Sequence, residues 1–106
     1  MYRRYKYRPR ALIVDDRSQE AVEVAENAVR EAPDSSHAHT ALACSLMNRA
    51  SADGSPELYT KAKEAYETAI RLDPDNADPH VNLGVLYASR GRNDLAIEEY
   101  RRATEV

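Results

Sequence analysis

Between Lys61 and Tyr87 two amphipathic patterns meet across a short junction, Asp73-Pro74-Asp75-Asn76. Upstream, small or apolar residues fall at Ala62, Ala65, Tyr66, Ala69, Ile70 and Leu72. Steps of three and four put these side chains on one face of a helix. Downstream, Val81, Leu83, Gly84, Val85, Leu86 and Tyr87 open a second helical pattern. Pro74 has no amide proton to continue the first helix, and its ring disfavours helical geometry at Asp73. Asn76 suits an N-cap for the second helix, and Pro79 is tolerated in a first turn. The chain therefore predicts a helix, a tight corner and another helix.

The rest of the chain varies this unit. Asp15-Asp16-Arg17-Ser18 offers caps for a helix over about 18–32. Pro33-Asp34-Ser35 ends it, and Ser35 caps a helix over about 36–51. Asp53-Gly54-Ser55-Pro56 reads as a turn, with Pro56 suited to a first helical position of a helix over about 56–72. The last pair falls at about 77–90 and 93–105, split at Gly91. Residues 1–10 show no register and Pro9 interrupts them, so they are expected to be flexible or loosely docked. Ala11-Leu12-Ile13-Val14 is short and β-branched, and is read as an apolar plug against the first helix. The organisation expected is a leader over 1–14 and a repeat domain over 15–106.

A period is present. Ala62, Tyr66 and Ala69 recur 34 residues later as Ala96, Tyr100 and Ala103. Ala62 and Ala69 look back 41 residues to Ala21 and Ala28, and Tyr66 looks back to Ala25. The same 41 relates Pro33 to Pro74, His39 to His80, Leu42 to Leu83, Ala43 to Gly84 and Leu46 to Tyr87. One insertion of seven residues between Ala50 and Ala62 explains both spacings. Seven residues are close to two helical turns, so the insertion is expected to lengthen both helices of that hairpin by about a turn.

A unit of this period, with Leu83-Gly84, Tyr87, Ala96, Tyr100 and Ala103 in order, resembles the tetratricopeptide repeat. The preceding unit matches with Leu42-Ala43, Leu46, Ala62, Tyr66, Ala69 and Pro74, and departs by the insertion. Gln19–Pro33 resembles only the second helix of a further unit. The resemblance covers about 85 residues, and it divides the domain over 15–106 into a half repeat over 15–33, a repeat over 34–74 and a repeat over 75–106. It implies an all-α fold, a right-handed α-solenoid of about two and a half helix-turn-helix repeats, in which each unit buries its apolar face against a neighbour.

The resemblance also implies a function. In such arrays the first helix of each unit lines a concave surface that holds an extended or helical peptide. Matched position by position, that surface comprises His37, Thr40, Ala41, Cys44, Met47 and Asn48, then Asp78, Val81, Asn82, Val85, Ala88 and Ser89. Asn82 matches a family position whose amide hydrogen-bonds a ligand backbone, and an amide both donates and accepts. Ala41 is the equivalent residue one unit earlier and lacks that group. A subset of the family grips a carboxylate with Lys and Arg on these faces. Here those positions carry neither, although Arg49 and Arg90 flank them, so that clamp is not expected. Val81, Val85, Met47 and Cys44 suggest a mildly apolar groove for an amphipathic helix. The function expected is a scaffold or adaptor module binding a protein or peptide partner.

The alternative is structural. The chain stops at Val106, before the corner proline expected after Ala103. The last helix would then show Leu95, Ile97 and Tyr100 along an edge without a neighbour, either because the chain is a piece of a longer array or because that edge self-associates.

Composition narrows the chemistry. Residues 1–10 carry five basic side chains and no acid; the other residues carry ten basic and eighteen acidic, a net −8. Arg and Lys interleaved with Tyr2, Tyr5 and Tyr7 in the leader suit phosphates and stacked bases, or an acidic protein. A protein partner remains the preferred reading, and nucleic acid is not expected. The single cysteine, Cys44, excludes an intramolecular disulfide, and a reducing, cytoplasmic setting is expected. No apolar run approaches the ~20 residues that span a bilayer, so no membrane association is expected. His37 and His39 point to different faces of a helix, and Asp73, Asp75 and Asp78 lack the glycine-containing loop of a calcium site, so no metal or cofactor is expected. There is no phosphate-binding glycine loop, no nucleophile elbow and no paired-histidine zinc motif. No catalytic residue is assigned, and the chain is not expected to be an enzyme.

Overall fold

A computed structural model describes the backbone of residues 10–106, with side chains described from Arg17 onward. Of the leader expected over residues 1–14, residues 1–9 lie outside the described residues. Five helices follow in order: α1 (Arg10–Glu31), α2 (Ser36–Asp53), α3 (Pro56–Leu72), α4 (Ala77–Ser89) and α5 (Asn93–Glu105). Among the described residues there is no strand, and the fold is an all-α helical repeat.

The corners are made by side chains that replace missing helical bonds. Ser35, Ser55 and Asn76 cap α2, α3 and α4 from nearly identical backbone geometry, with φ/ψ of −86/113, −86/116 and −87/117. Ser35 accepts from the Ala38 amide at 3.1 Å, Ser55 from the Leu58 amide at 3.3 Å and Asn76 from the Asp78 amide at 3.1 Å. Each satisfies one amide that the helix itself leaves without an acceptor. Gly54, at φ 67, closes α2 through its amide to the Ala50 carbonyl at 2.7 Å. A side chain there would be strained, which is why a glycine ends this helix.

The seven additional residues of the middle hairpin run as helix. Helices α2 and α3 have 18 and 17 residues, against 13 each in α4 and α5. One expected boundary is displaced. Helix α1 begins at Arg10 rather than near Ser18, and Ala11–Val14 continue its backbone. The β-branched run lowers helix propensity by only a few tenths of a kcal/mol per residue, and neither Gly nor Pro interrupts residues 11–18. Without such a break, Asp15 and Asp16 are helix residues and not caps.

Packing follows chain order. Helix α2 packs on α1 and α3, α4 packs on α3 and α5, and α2 also touches α4. The radius of gyration is 15.7 Å and the extents are 57 × 34 × 20 Å. A globular domain of this length would have a radius near 13 Å, so the helices are stacked in a row and not wrapped around one centre. The core is mostly alanine, including Ala43, Ala50, Ala62 and Ala69 at 0% exposure, with Leu46, Leu83, Leu86 and Tyr66 between them. Small side chains let helix axes approach, and the larger ones fill the space that remains. The Ser36 hydroxyl ties the start of α2 to the end of α3 by donating to the Ala69 carbonyl at 2.9 Å.

Candidate functional site

Helices α2 and α4 lie side by side as the first helices of successive hairpins. Where their N-terminal halves meet, His37 and Thr40 of α2 and Asp78, Val81 and Asn82 of α4 line one concavity of about 190 Å³, with Asn76 at its edge. Val81 keeps 41% of its surface exposed, as does Val85 one turn further along α4. An apolar side chain left this open on an otherwise acidic surface is available to a partner's side chain.

Of the other residues expected on this surface, Cys44 reaches Asn82 through its sulfur, and Ala41, Met47, Asn48, Ala88 and Ser89 do not line this concavity. Cys44 and Met47 are half-buried and pack against the core cluster of Ala43, Leu46 and Tyr66. Ala41 lines a separate shallow hollow against α1, with Ala21, Val24 and Ala28. Asn48 faces Arg17 and Ser18 at the other end of α2. Ser89 closes α4 by donating to the Leu86 carbonyl at 2.7 Å, and Ala88 is exposed beside it.

Asn82 and Cys44 share a small polar network that the sequence did not disclose. The Tyr66 hydroxyl donates to the Cys44 sulfur at 3.2 Å, and the Asn82 side-chain amide donates to the same sulfur at 3.7 Å. A thiol sulfur is a weak acceptor, so Asn82 gives up little when it turns toward a stronger one. Burial and the bond to Cys44 raise the Tyr66 phenol well above its usual ionisation range. Its proton therefore stays in place, and the hydroxyl remains a donor.

A second buried polar group links α4 to α5. His80 Nδ1 lies 2.9 Å from Glu99 Oε1, and Arg102 Nη1 donates to Glu99 Oε2 at 2.9 Å. His80 and Glu99 are 7% and 6% exposed, so each needs the other's hydrogen bond. Spacing carried the signal for Glu99, because it falls between Ala96 and Ala103 on the buried face of α5. His39, at the matching position one unit earlier, instead reaches the Pro33 carbonyl through Nε2 at 2.8 Å. Burial first, then the carboxylates of Glu67 and Glu99, raise the phenol of nearby Tyr87, with Arg102 opposing them. Glu99→Ala is expected to destabilise the chain by about 1–2 kcal/mol, because His80 Nδ1 loses its acceptor inside the protein. Urea denaturation of the variant beside the parent measures this.

The flanking arginines are engaged away from the concavity. Arg49 pairs with Asp53 at 3.4 Å, and the Arg90 guanidinium lies over the Tyr59 ring at 4.6 Å. Among the described residues, no three His, Cys, Asp or Glu side chains converge as a metal-binding set, and no helix is long and apolar enough to cross a membrane. On α5, Ile97 is 57% exposed, whereas Leu95, two residues earlier and on another face, is 40% exposed and lines a hollow beside the start of α3. Tyr100 is 38% exposed, and its ring lies against Gly84.

Residues 58–89 match a family model described as TPR repeat, and residues 77–106 match one described as tetratricopeptide repeat. No curated protein matches the chain.

Proposed function

Because the chain belongs to the tetratricopeptide repeat family on the strength of residues 58–106, whose members serve generally as protein–protein interaction modules, we propose that it is a non-catalytic adaptor. It binds a peptide or partner helix along the surface shared by α2 and α4. The observation that carries this reading is the pairing of two half-exposed valines with an available amide. Val81 and Val85 are each 41% exposed, and among the described residues the Asn82 side chain between them is held only by a 3.7 Å bond to sulfur. Val81 and Val85 are four apart, so they form one stripe that an apolar helix face can cover. The Asn82 amide can exchange its sulfur partner for the backbone of the bound segment.

The test is selection of peptides on the full chain from a displayed library, followed by titration of the selected peptides. Asn82→Ala is expected to weaken binding about tenfold, the loss of roughly one well-made hydrogen bond. Peptides whose affinity is unchanged by both Asn82→Ala and Val85→Glu would overturn the reading. The exposure of Ile97 at 57% favours a second reading, self-association through α5. Light scattering over the same concentration range reports it as a mass that rises with concentration in the absence of peptide.

A further inference from the structure

At the opposite end of α4 from Val81 and Asn82, the first turns of α3 lie beside the α4–α5 turn and enclose a hollow of about 280 Å³. Lys63 of α3, Arg90 at the end of α4 and Arg92 of the turn line it, together with Tyr59, Tyr87 and Leu86. No carboxylate lines it. This is unusual for the chain, because residues 11–106 carry ten basic and eighteen acidic side chains. None of the three cations belongs to an ion pair among the described residues. Three cations around one hollow with no carboxylate in its lining make it a favourable place for an anion.

Two further features prepare the hollow. Arg90 stacks on Tyr59 with its guanidinium 4.6 Å from the ring centroid, which holds the fork in place before any ligand arrives. Arg92 is the N-cap of α5 and makes no side-chain capping bond, so the first-turn amides of α5 lack the acceptor that Ser35, Ser55 and Asn76 supply elsewhere. Asp94 in that turn offers one compensating charge but does not line the hollow.

We propose that this hollow is a phosphate-binding site, separate from the peptide-binding surface. Three cations outmatch the single charge of a carboxylate and suit a phosphate group, which carries nearly two charges at neutral pH and three acceptor oxygens. The phosphate arrives either free or on a phosphorylated side chain of a protein.

The test is a titration of the full chain followed by amide chemical shifts. The probes are inorganic phosphate, N-acetyl-phosphoserine amide, acetate, and sodium chloride at matched ionic strength. Saturable shifts around Tyr59–Lys63 and Arg90–Leu95 are expected with the phosphate probes. Tighter saturation by phosphoserine amide identifies a protein-borne phosphate, and tighter saturation by inorganic phosphate identifies a free one. Arg90→Gln and Arg92→Gln are each expected to weaken binding about tenfold, the loss of one charge-assisted hydrogen bond. Both side chains are exposed, so an unchanged melting temperature verifies that these variants fold. Asn82→Ala leaves the phosphate titration unchanged, which distinguishes failure here from failure of the peptide-binding reading. If sodium chloride or acetate reproduces the shifts, or if the arginine variants bind phosphate as the parent does, the site is overturned.

Discussion

Tyr66→Ala is expected to destabilise the chain by about 3–5 kcal/mol, the usual loss for truncating a buried aromatic side chain to alanine. Tyr66 is 1% exposed and is among the largest side chains fully enclosed by the protein. It sits in the core cluster with Ala43, Leu46, Ala62 and Leu83, which belong to three successive helices. Its neighbours include Ala43, Ala62 and Ala65, which cannot reach into the space left behind, so part of the cavity persists. A domain of this size holds roughly 5–15 kcal/mol in all. In a row of helices each unit leans only on its neighbours, so the loss falls on the one hairpin that both ends depend on. Urea denaturation should show a midpoint far below the parent's. A shift equivalent to less than about 1 kcal/mol would mean that the helices close over the gap.

The conservative variant separates the ring from its hydroxyl. Tyr66→Phe keeps the packing and removes the donor to Cys44, a bond to a weak acceptor, so it is expected to lose no more than about 1 kcal/mol at neutral pH. At high pH the comparison changes. Folding holds the phenol's ionisation above its usual value, so the unfolded chain releases that proton first. Stability from this group is complete below pH ~10 and falls by up to about 1.4 kcal/mol per pH unit above it. Tyr66→Phe has no such proton to lose, and its stability should fall less steeply between pH 10 and 11 than the parent's.

Much of this fold was legible because the features that make it are local. Helix ends at Ser35, Pro56, Asn76 and Gly91 follow from capping side chains and from residues that break or permit particular backbone angles, and such effects reach only three or four residues. The repeat interval supplied the rest, since Ala62 with Ala96 and Tyr66 with Tyr100 mark equivalent packing positions. The start of α1 was misplaced for the converse reason. Asp15 and Asp16 have the chemistry of caps, but a cap requires a break in the helix before it, and nothing upstream in residues 11–14 provides one.

The candidate site was less legible, because its bonds join residues distant in sequence. The Cys44 sulfur meets a hydroxyl 22 residues away and an amide 38 residues away. His80 and Glu99 are 19 apart and lie on helices of opposite direction. Periodicity places a residue on a face; it does not say which polar atom opposes it. The same limit applies to the six residues assigned to α2. His37 and Thr40 share a concavity with α4 and Cys44 meets Asn82 of α4, whereas Ala41, Met47 and Asn48 turn toward α1, the core or the hairpin end. A helix presents several faces, and one-dimensional matching assigns them all to the same surface.

Gly84→Val is expected to destabilise the chain by about 2–3 kcal/mol, in the upper part of the range for overpacking. A side-chain carbon built on Gly84 would lie 2.6 Å from Cε1 and 2.8 Å from Cδ1 of Tyr100. Both distances are far inside normal contact, so either the ring or the helix must move. The ring is the softer partner, because Tyr100 is 38% exposed and can swing toward solvent. Doing so strips the α4–α5 hairpin of the contact that closes it. Valine recovers only a few tenths of a kcal/mol of helix propensity over glycine, too little to offset the clash. The decisive measurement is a cycle with Tyr100→Ala. With the ring gone, Gly84→Ala meets no obstacle there, and it should stabilise α4 by about 1 kcal/mol, the ordinary advantage of alanine over glycine in a helix. In the parent the same substitution should be neutral or destabilising. A Gly84→Ala change that stabilises both backgrounds equally would show that Tyr100 does not rest on Gly84. Gly84 would then be a glycine for some reason other than the approach of α5.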